Sequence, residues 1–255
     1  MRKVLSFIIF SIPLVVFAQA DNEIQVYASP ITEKGVTFFE LHSNYTFNGI
    51  KNMPDPSAAR YVNESVEITH GFGGNFEMGI YFFTAFVPHS GYQYLGSHIR
   101  PRFTVPEKSK WPFGASLSIE FGFIRPNKDS DFVWDGEIRP IIDKNFGNWY
   151  FSFNPNIAFV ISGNNKDFEL TPQFKTVYTI NGKVGLGFEY YSELGTFKKI
   201  LPADEEEHLL GPMIDLYCIK DWELNSGFLF GLTQNSNRCI FKLLIGRRFA
   251  KRSAK

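Results

Sequence analysis

The chain has 255 residues, equal numbers of basic and acidic side chains (26 each), and 28 phenylalanines within a hydrophobic content of only 44%. Zero formal charge lacks the basic surplus of a nucleic-acid binder, and an aromatic content of 17% is foreign to disordered chains. A mean hydropathy slightly on the polar side excludes a bundle of membrane helices, leaving a globule or a membrane protein whose apolar surface alternates with polar positions.

The first element is an export signal. Arg2 and Lys3 open the chain, residues 5–17 are almost wholly apolar, and Ala18-Gln19-Ala20 has the small-x-small form that precedes a cleavage point. Residues 1–20 are therefore expected to be a cleaved signal peptide, leaving 24 basic against 26 acidic residues. No cysteine follows the cleavage point, which argues against a lipid anchor. Residues 21–35 are expected to form a periplasmic N-terminal segment. The only cysteines, Cys218 and Cys239, read as small apolar residues rather than a disulfide framework.

From residue 36 onward the pattern has period two. In residues 113–123, Phe113, Ala115, Leu117, Ile119, Phe121 and Phe123 share one face, against Ser116, Ser118 and Glu120. In residues 132–143, Phe132, Trp134, Ile138 and Ile142 oppose Asp135, Glu137, Arg139 and Asp143. Side chains alternate across a strand, so each such segment has one apolar and one polar face. The segments fall at roughly 36–47, 61–70, 75–86, 92–104, 113–125, 131–143, 148–161, 167–178, 183–193, 207–219, 221–232 and 238–249. Their even number and length match an all-β fold, a transmembrane antiparallel β-barrel of about 12 strands over residues 36–249. Residues 250–255 remain as a basic tail.

The connections have the same parity. Residues 71–75, Asn145-Phe146-Gly147-Asn148, Asn181-Gly182 and Lys220-Asp221 are tight turns at one end. The longest links, 49–60 and 195–206, lie at the other end, as in barrels with short periplasmic turns and long outer loops. A soluble β-sandwich would turn the Phe-rich faces inward. Two features favour the reverse. Tyr61, Tyr92, Trp111, Trp134, Trp149, Tyr150, Tyr178 and Trp222 recur near strand ends, where interfacial girdles form. Charges of both signs also sit in mid-strand on the polar faces, where a barrel can pair them across its interior.

Four strings carry a family resemblance: Glu40-Leu41-His42 with Tyr45-Thr46, Phe153-Asn154-Pro155-Asn156, Pro172-Gln173-Phe174-Lys175, and Gly187-Phe188-Glu189-Tyr190-Tyr191-Ser192-Glu193-Leu194-Gly195. In this order they resemble a bacterial outer-membrane family of channels and transporters related to the "MetA-pathway of phenol degradation" proteins, over about residues 36–249. The resemblance implies an outer-membrane barrel with a transporter-like role and no settled solute. Such barrels often stop at a terminal aromatic, whereas here six residues follow Phe249.

The expected lumen-lining set is Glu40, His42, Glu77, Arg100, Arg102, Glu120, Glu137, Arg139, Glu169, Lys175 and Glu189. Opposed charges across a narrow pore would set its width and selectivity; the competing reading is a charge-paired, non-conducting plug or binding barrel. A lipid-modifying hydrolase at the rim is the enzymatic alternative. His42 and Ser43 are adjacent, so a strand points them to opposite faces, and no nucleophile elbow occurs. The sequence therefore supplies no catalytic residues, cofactor or metal ligands. The acidic run at residues 204–208 reads as a solvated loop, with cation binding between lipopolysaccharide phosphates as the alternative. The expected surroundings are outer-membrane lipid and lipopolysaccharide, with a small solute, no nucleic-acid partner, and an oligomeric state the sequence does not specify.

Overall fold

The computed structural model describes residues 23–50, 61–125, 129–162 and 167–250. The expected signal peptide and residues 251–255 of the basic tail lie outside them.

Twelve long strands form the wall: β1 (Val36–Asn48), β2 (Val62–Gly73), β3 (Phe76–Val87), β4 (Gly91–Thr104), β5 (Gly114–Ile124), β6 (Val133–Phe146), β7 (Trp149–Val160), β8 (Phe168–Ile180), β9 (Val184–Glu193), β12 (Glu207–Leu216), β13 (Trp222–Gly231) and β14 (Cys239–Ala250). Between β9 and β12, β10 (Gly195–Thr196) and β11 (Lys199–Ile200) make a small hairpin. Each long strand pairs antiparallel with the next, and β14 returns to β1 with Val36 opposite Ala250, so the sheet is a closed barrel. Closure removes the unpaired edges that no strand can present to hydrocarbon.

The alternation holds in space. Along β1, Phe39 and Leu41 are 43% and 38% exposed on the outside, while Glu40 and His42 are 5% and 1% exposed on the inside. Outward Phe82, Phe103, Phe121 and Phe153 continue this surface around the barrel. So large an exposed apolar belt is untenable in water and matched to lipid. Phe38 and Phe83 are exceptions, buried within the barrel.

The turns explain the strand spacing. Asn181 and Gly182, with φ of 50° and 65°, make the left-handed pair of a two-residue hairpin, and Gly147 and Asp221 also have positive φ. A single 3-10 turn, Glu107–Ser109, occupies the longer link from β4 to β5. The β10–β11 hairpin, which docks Thr196 against Glu169 of β8, falls inside a segment expected to be loop. Strands of two residues are too short to show alternation.

One sequence expectation differs from the structure. The N-terminal segment expected at residues 21–35, described from residue 23, does not stand apart from the barrel: residues 23–33 run up inside it, with Glu23, Ile24, Val26, Tyr27 and Ser29 buried there. Its backbone amides find lumen side chains rather than water (Tyr27 donates to Asn154, Ser29 to Asp143 and Thr32 to Glu77). Gly71 marks the entry. A Cβ there would lie 2.2 Å from the Glu33 carbonyl oxygen, so only glycine admits the segment beside β2.

Candidate functional site in the barrel lumen

The site is the contact between this segment and the inner wall. Tyr27 is its hub. The guanidinium groups of Arg100, Arg102 and Arg139 lie 5.2, 5.3 and 4.4 Å from its ring centre, a cation–π arrangement strengthened by exclusion of water. Its hydroxyl donates to Glu23 and lies in hydrogen-bond contact with Tyr81. Asn154 of β7 clamps the Tyr27 backbone at both ends, accepting from N–H at 2.7 Å and donating to the carbonyl at 3.1 Å. Ser152 donates to the same carbonyl at 2.6 Å. Below Tyr27, both Asp143 oxygens accept from Ser29, at 2.6 and 2.7 Å. Arg102 donates to the carbonyls of Ala28 and Pro30.

The charged wall is paired rather than free. Arg100 bridges Glu67 and Glu77, the latter at 3.0 Å, and Arg102 lies 3.5 Å from Glu77. Arg139 meets Glu137 at 2.5 Å and Glu23 at 3.9 Å. His98 has carboxylates on both ring nitrogens, Glu120 at 2.8 Å and Asp135 at 3.0 Å. On the far side, Lys175 reaches Glu189 at 3.1 Å and Asp215 at 2.9 Å, while Lys242 meets Glu189 at 2.5 Å.

The proposed lining residues thus divide among four places. Glu77, Arg100, Arg102, Glu120, Glu137 and Arg139 lie in the network around the segment, and Lys175 and Glu189 in the cluster opposite. Glu40 and His42 are buried on β1; one Glu40 oxygen and both His42 nitrogens lack a hydrogen-bond partner. Glu169 is half-buried at the rim beside β10, away from the ion pairs.

The expected lumen-lining set left out Glu23, Tyr27, Glu67, Tyr81, His98, Asp143, Asp215 and Lys242. Lys242 carried a legible signal, being the one charge between inward Ile240 and Leu244 on β14. Asn154 and Asn156, both fully buried, stand within a string that carried the family resemblance.

Charge is not balanced inside. Among the described residues, nine buried carboxylates (Glu23, Glu40, Glu67, Glu77, Glu120, Glu137, Asp143, Glu189 and Asp215) share the interior with four buried cations, Arg100, Arg102, Arg139 and Lys242, and with Lys175 and His98, each held between two carboxylates. Against the charged wall stands an apolar one. Ile24 and Val26 of the segment pack with Tyr191, Leu209, Met213, Leu229 and Ile240.

Free space remains on both sides of the segment. A cavity of about 410 Å³ lies between it and the wall at the end of the barrel where β1 begins and β14 ends, bounded by Glu40, Thr69, Glu77, Arg100, Arg102, Glu223 and Arg248. A pocket of about 20 Å³ lies further in, against Glu23, Arg139, Gln173, Tyr191 and Glu207. The acidic run resolves into parts: Asp204 and Glu205 are exposed in a turn, Glu207 begins β12, and His208 lies between the Tyr190 hydroxyl at 2.6 Å and Glu206 at 2.8 Å. Cys218 and Cys239 are free thiols.

No known protein family matches the chain, and no curated protein sequence does either. Solved structures do. An outer-membrane channel from Pseudomonas putida F1 aligns with a TM-score of 0.61 at 11% identity, over 89% of this chain and all of that one. The KdgM porin aligns with a TM-score of 0.53 at 11% identity, over 83% of this chain and 99% of that one. At such identity the likeness concerns the backbone: the chain has the fold of outer-membrane β-barrels.

Proposed function

We propose that the chain is a bacterial outer-membrane channel for small solutes, narrow and cation-preferring, whose lumen is stoppered by its own N-terminal segment. The observation that carries this reading is the manner in which the segment is held. Residues 23–33 occupy the interior through side-chain hydrogen bonds, ring–cation contacts and apolar packing, with no covalent tie to the wall beyond the chain's own continuation into β1, and space already lies beside them. Cleavage after Ala20 would give this segment a free end, so that withdrawal toward the 410 Å³ cavity opens a path. In this reading the apolar belt faces lipid and lipopolysaccharide, and the kinship with MetA-pathway transporters belongs to the same proposal.

The surplus of carboxylates gives the preference for cations, since fixed charges in a low-dielectric passage set which ions enter. The test is the reversal potential of the purified chain in planar bilayers under a potassium chloride gradient. Cation preference is expected, with Glu137→Gln moving the potential toward the anion side. Anion preference refutes the selectivity, and a correctly folded barrel that passes no current even without residues 23–33 refutes the channel.

A further inference from the structure

We propose that Glu23, His42 and Glu67 form a binding site for a divalent cation of the zinc class, which ties the N-terminal segment to the barrel wall. The three residues come from separate places: Glu23 from the segment, His42 from β1, Glu67 from β2. In the β1–β2 register His42 faces Ser65 and Glu40 faces Glu67, so His42 and Glu67 are diagonal neighbours on the inner face. One donor atom from each of the three lies within 4.8 Å of the others, and all three residues are buried.

The second observation is what these atoms lack. Both ring nitrogens of His42, a residue 1% exposed, have no hydrogen-bond partner, and neither does Oε2 of Glu23. Burying a polar atom without a partner costs about 1–3 kcal/mol, so such atoms call for an explanation. Imidazole Nε2 lies 3.8 Å from Glu67 Oε2. Tetrahedral ligands about 2.1 Å from zinc stand roughly 3.4 Å apart. The pair is therefore within a few tenths of an ångström of that spacing.

The outer contacts leave the correct atoms available. Tyr27 and Tyr81 donate to Oε1 of Glu23, leaving Oε2 free. Arg100 holds Oε1 of Glu67, while Tyr81 orients Oε2 at 2.7 Å. Such shells fix ligating carboxylates in metal sites. One imidazole and two carboxylates form a borderline-to-hard donor set, suited to zinc.

The experiment is zinc titration of the full chain in detergent after chelator treatment, by calorimetry with metal analysis. Glu23→Gln, His42→Gln and a control, His208→Gln, are compared, and a heat-dependent shift in gel mobility verifies that each barrel is folded. One bound equivalent is expected, weakened at least about tenfold in Glu23→Gln and His42→Gln and retained in His208→Gln, whose histidine sits beside Glu206 at the rim. Failure of the parent chain to bind zinc overturns the proposal. Unchanged affinity in Glu23→Gln overturns it as well, whatever His42→Gln does, because Glu23 belongs to no barrel strand.

Discussion

The two walls of the lumen hold one segment by different means. On the β2–β7 side, contacts to residues 23–33 are charged and directional: Arg100, Arg102 and Arg139 around Tyr27, Asn154 on its backbone, Asp143 on Ser29. On the β9 and β12–β14 side, Ile24 and Val26 meet Tyr191, Leu209, Met213, Leu229 and Ile240. Apolar packing has no preferred direction and sets volume. The charged wall sets register, because an ionic partner displaced by one residue leaves a buried charge alone. The segment is thus positioned by one wall and filled in by the other.

Removing charge should cost most. Arg100→Met leaves Glu67 and Glu77 facing each other without their common cation, and about 3–5 kcal/mol of stability should be lost. Urea unfolding in lipid vesicles, followed by tryptophan fluorescence, measures it; a loss below 1 kcal/mol would mean that the wall is wet. Leu229→Ala on the apolar side removes a fully buried side chain and should cost about 2–4 kcal/mol, depending on how well the site collapses. Equal losses in a chain without residues 23–33 would show that the segment does not pack there.

Asn154→Ala is a finer probe. It removes both clamps on Tyr27 and leaves that amide unpaired, at about 1–3 kcal/mol. The loss should vanish in the chain lacking the segment, and persistence there would place the role of Asn154 in the wall alone. The smallest effect is expected from replacing an ion pair whole. Glu189→Gln with Lys242→Met exchanges a buried pair for uncharged groups while Lys175 keeps its partner Asp215, and should change stability by less than about 1.5 kcal/mol while either single change costs more. Additivity of the two single changes would contradict their coupling.

Much of this architecture was legible because a barrel strand states its environment twice, in the apolar residues it turns to lipid and the polar residues between them. Phe121 beside Glu120 and Phe39 beside Glu40 fix both face and register. Turn chemistry at Asn181-Gly182 separated the strands. The stopper was not legible. Its partners are remote in sequence, Asn154 lying 127 residues from Tyr27 and Asp143 lying 114 from Ser29, and no local periodicity encodes such a contact. Tyr81 and Phe83 were obscured for a related reason: inside this barrel aromatic rings stack at 5.6 Å, so an aromatic residue alone does not mark the lipid side.

The central claim is that residues 23–33 obstruct a passage, and single-channel conductance in planar bilayers tests it most directly. The full chain and a chain lacking residues 23–33, both verified as folded, are compared at the same salt. A several-fold larger conductance without the segment is the result this structure predicts; equal conductance, or silence from both, would contradict it.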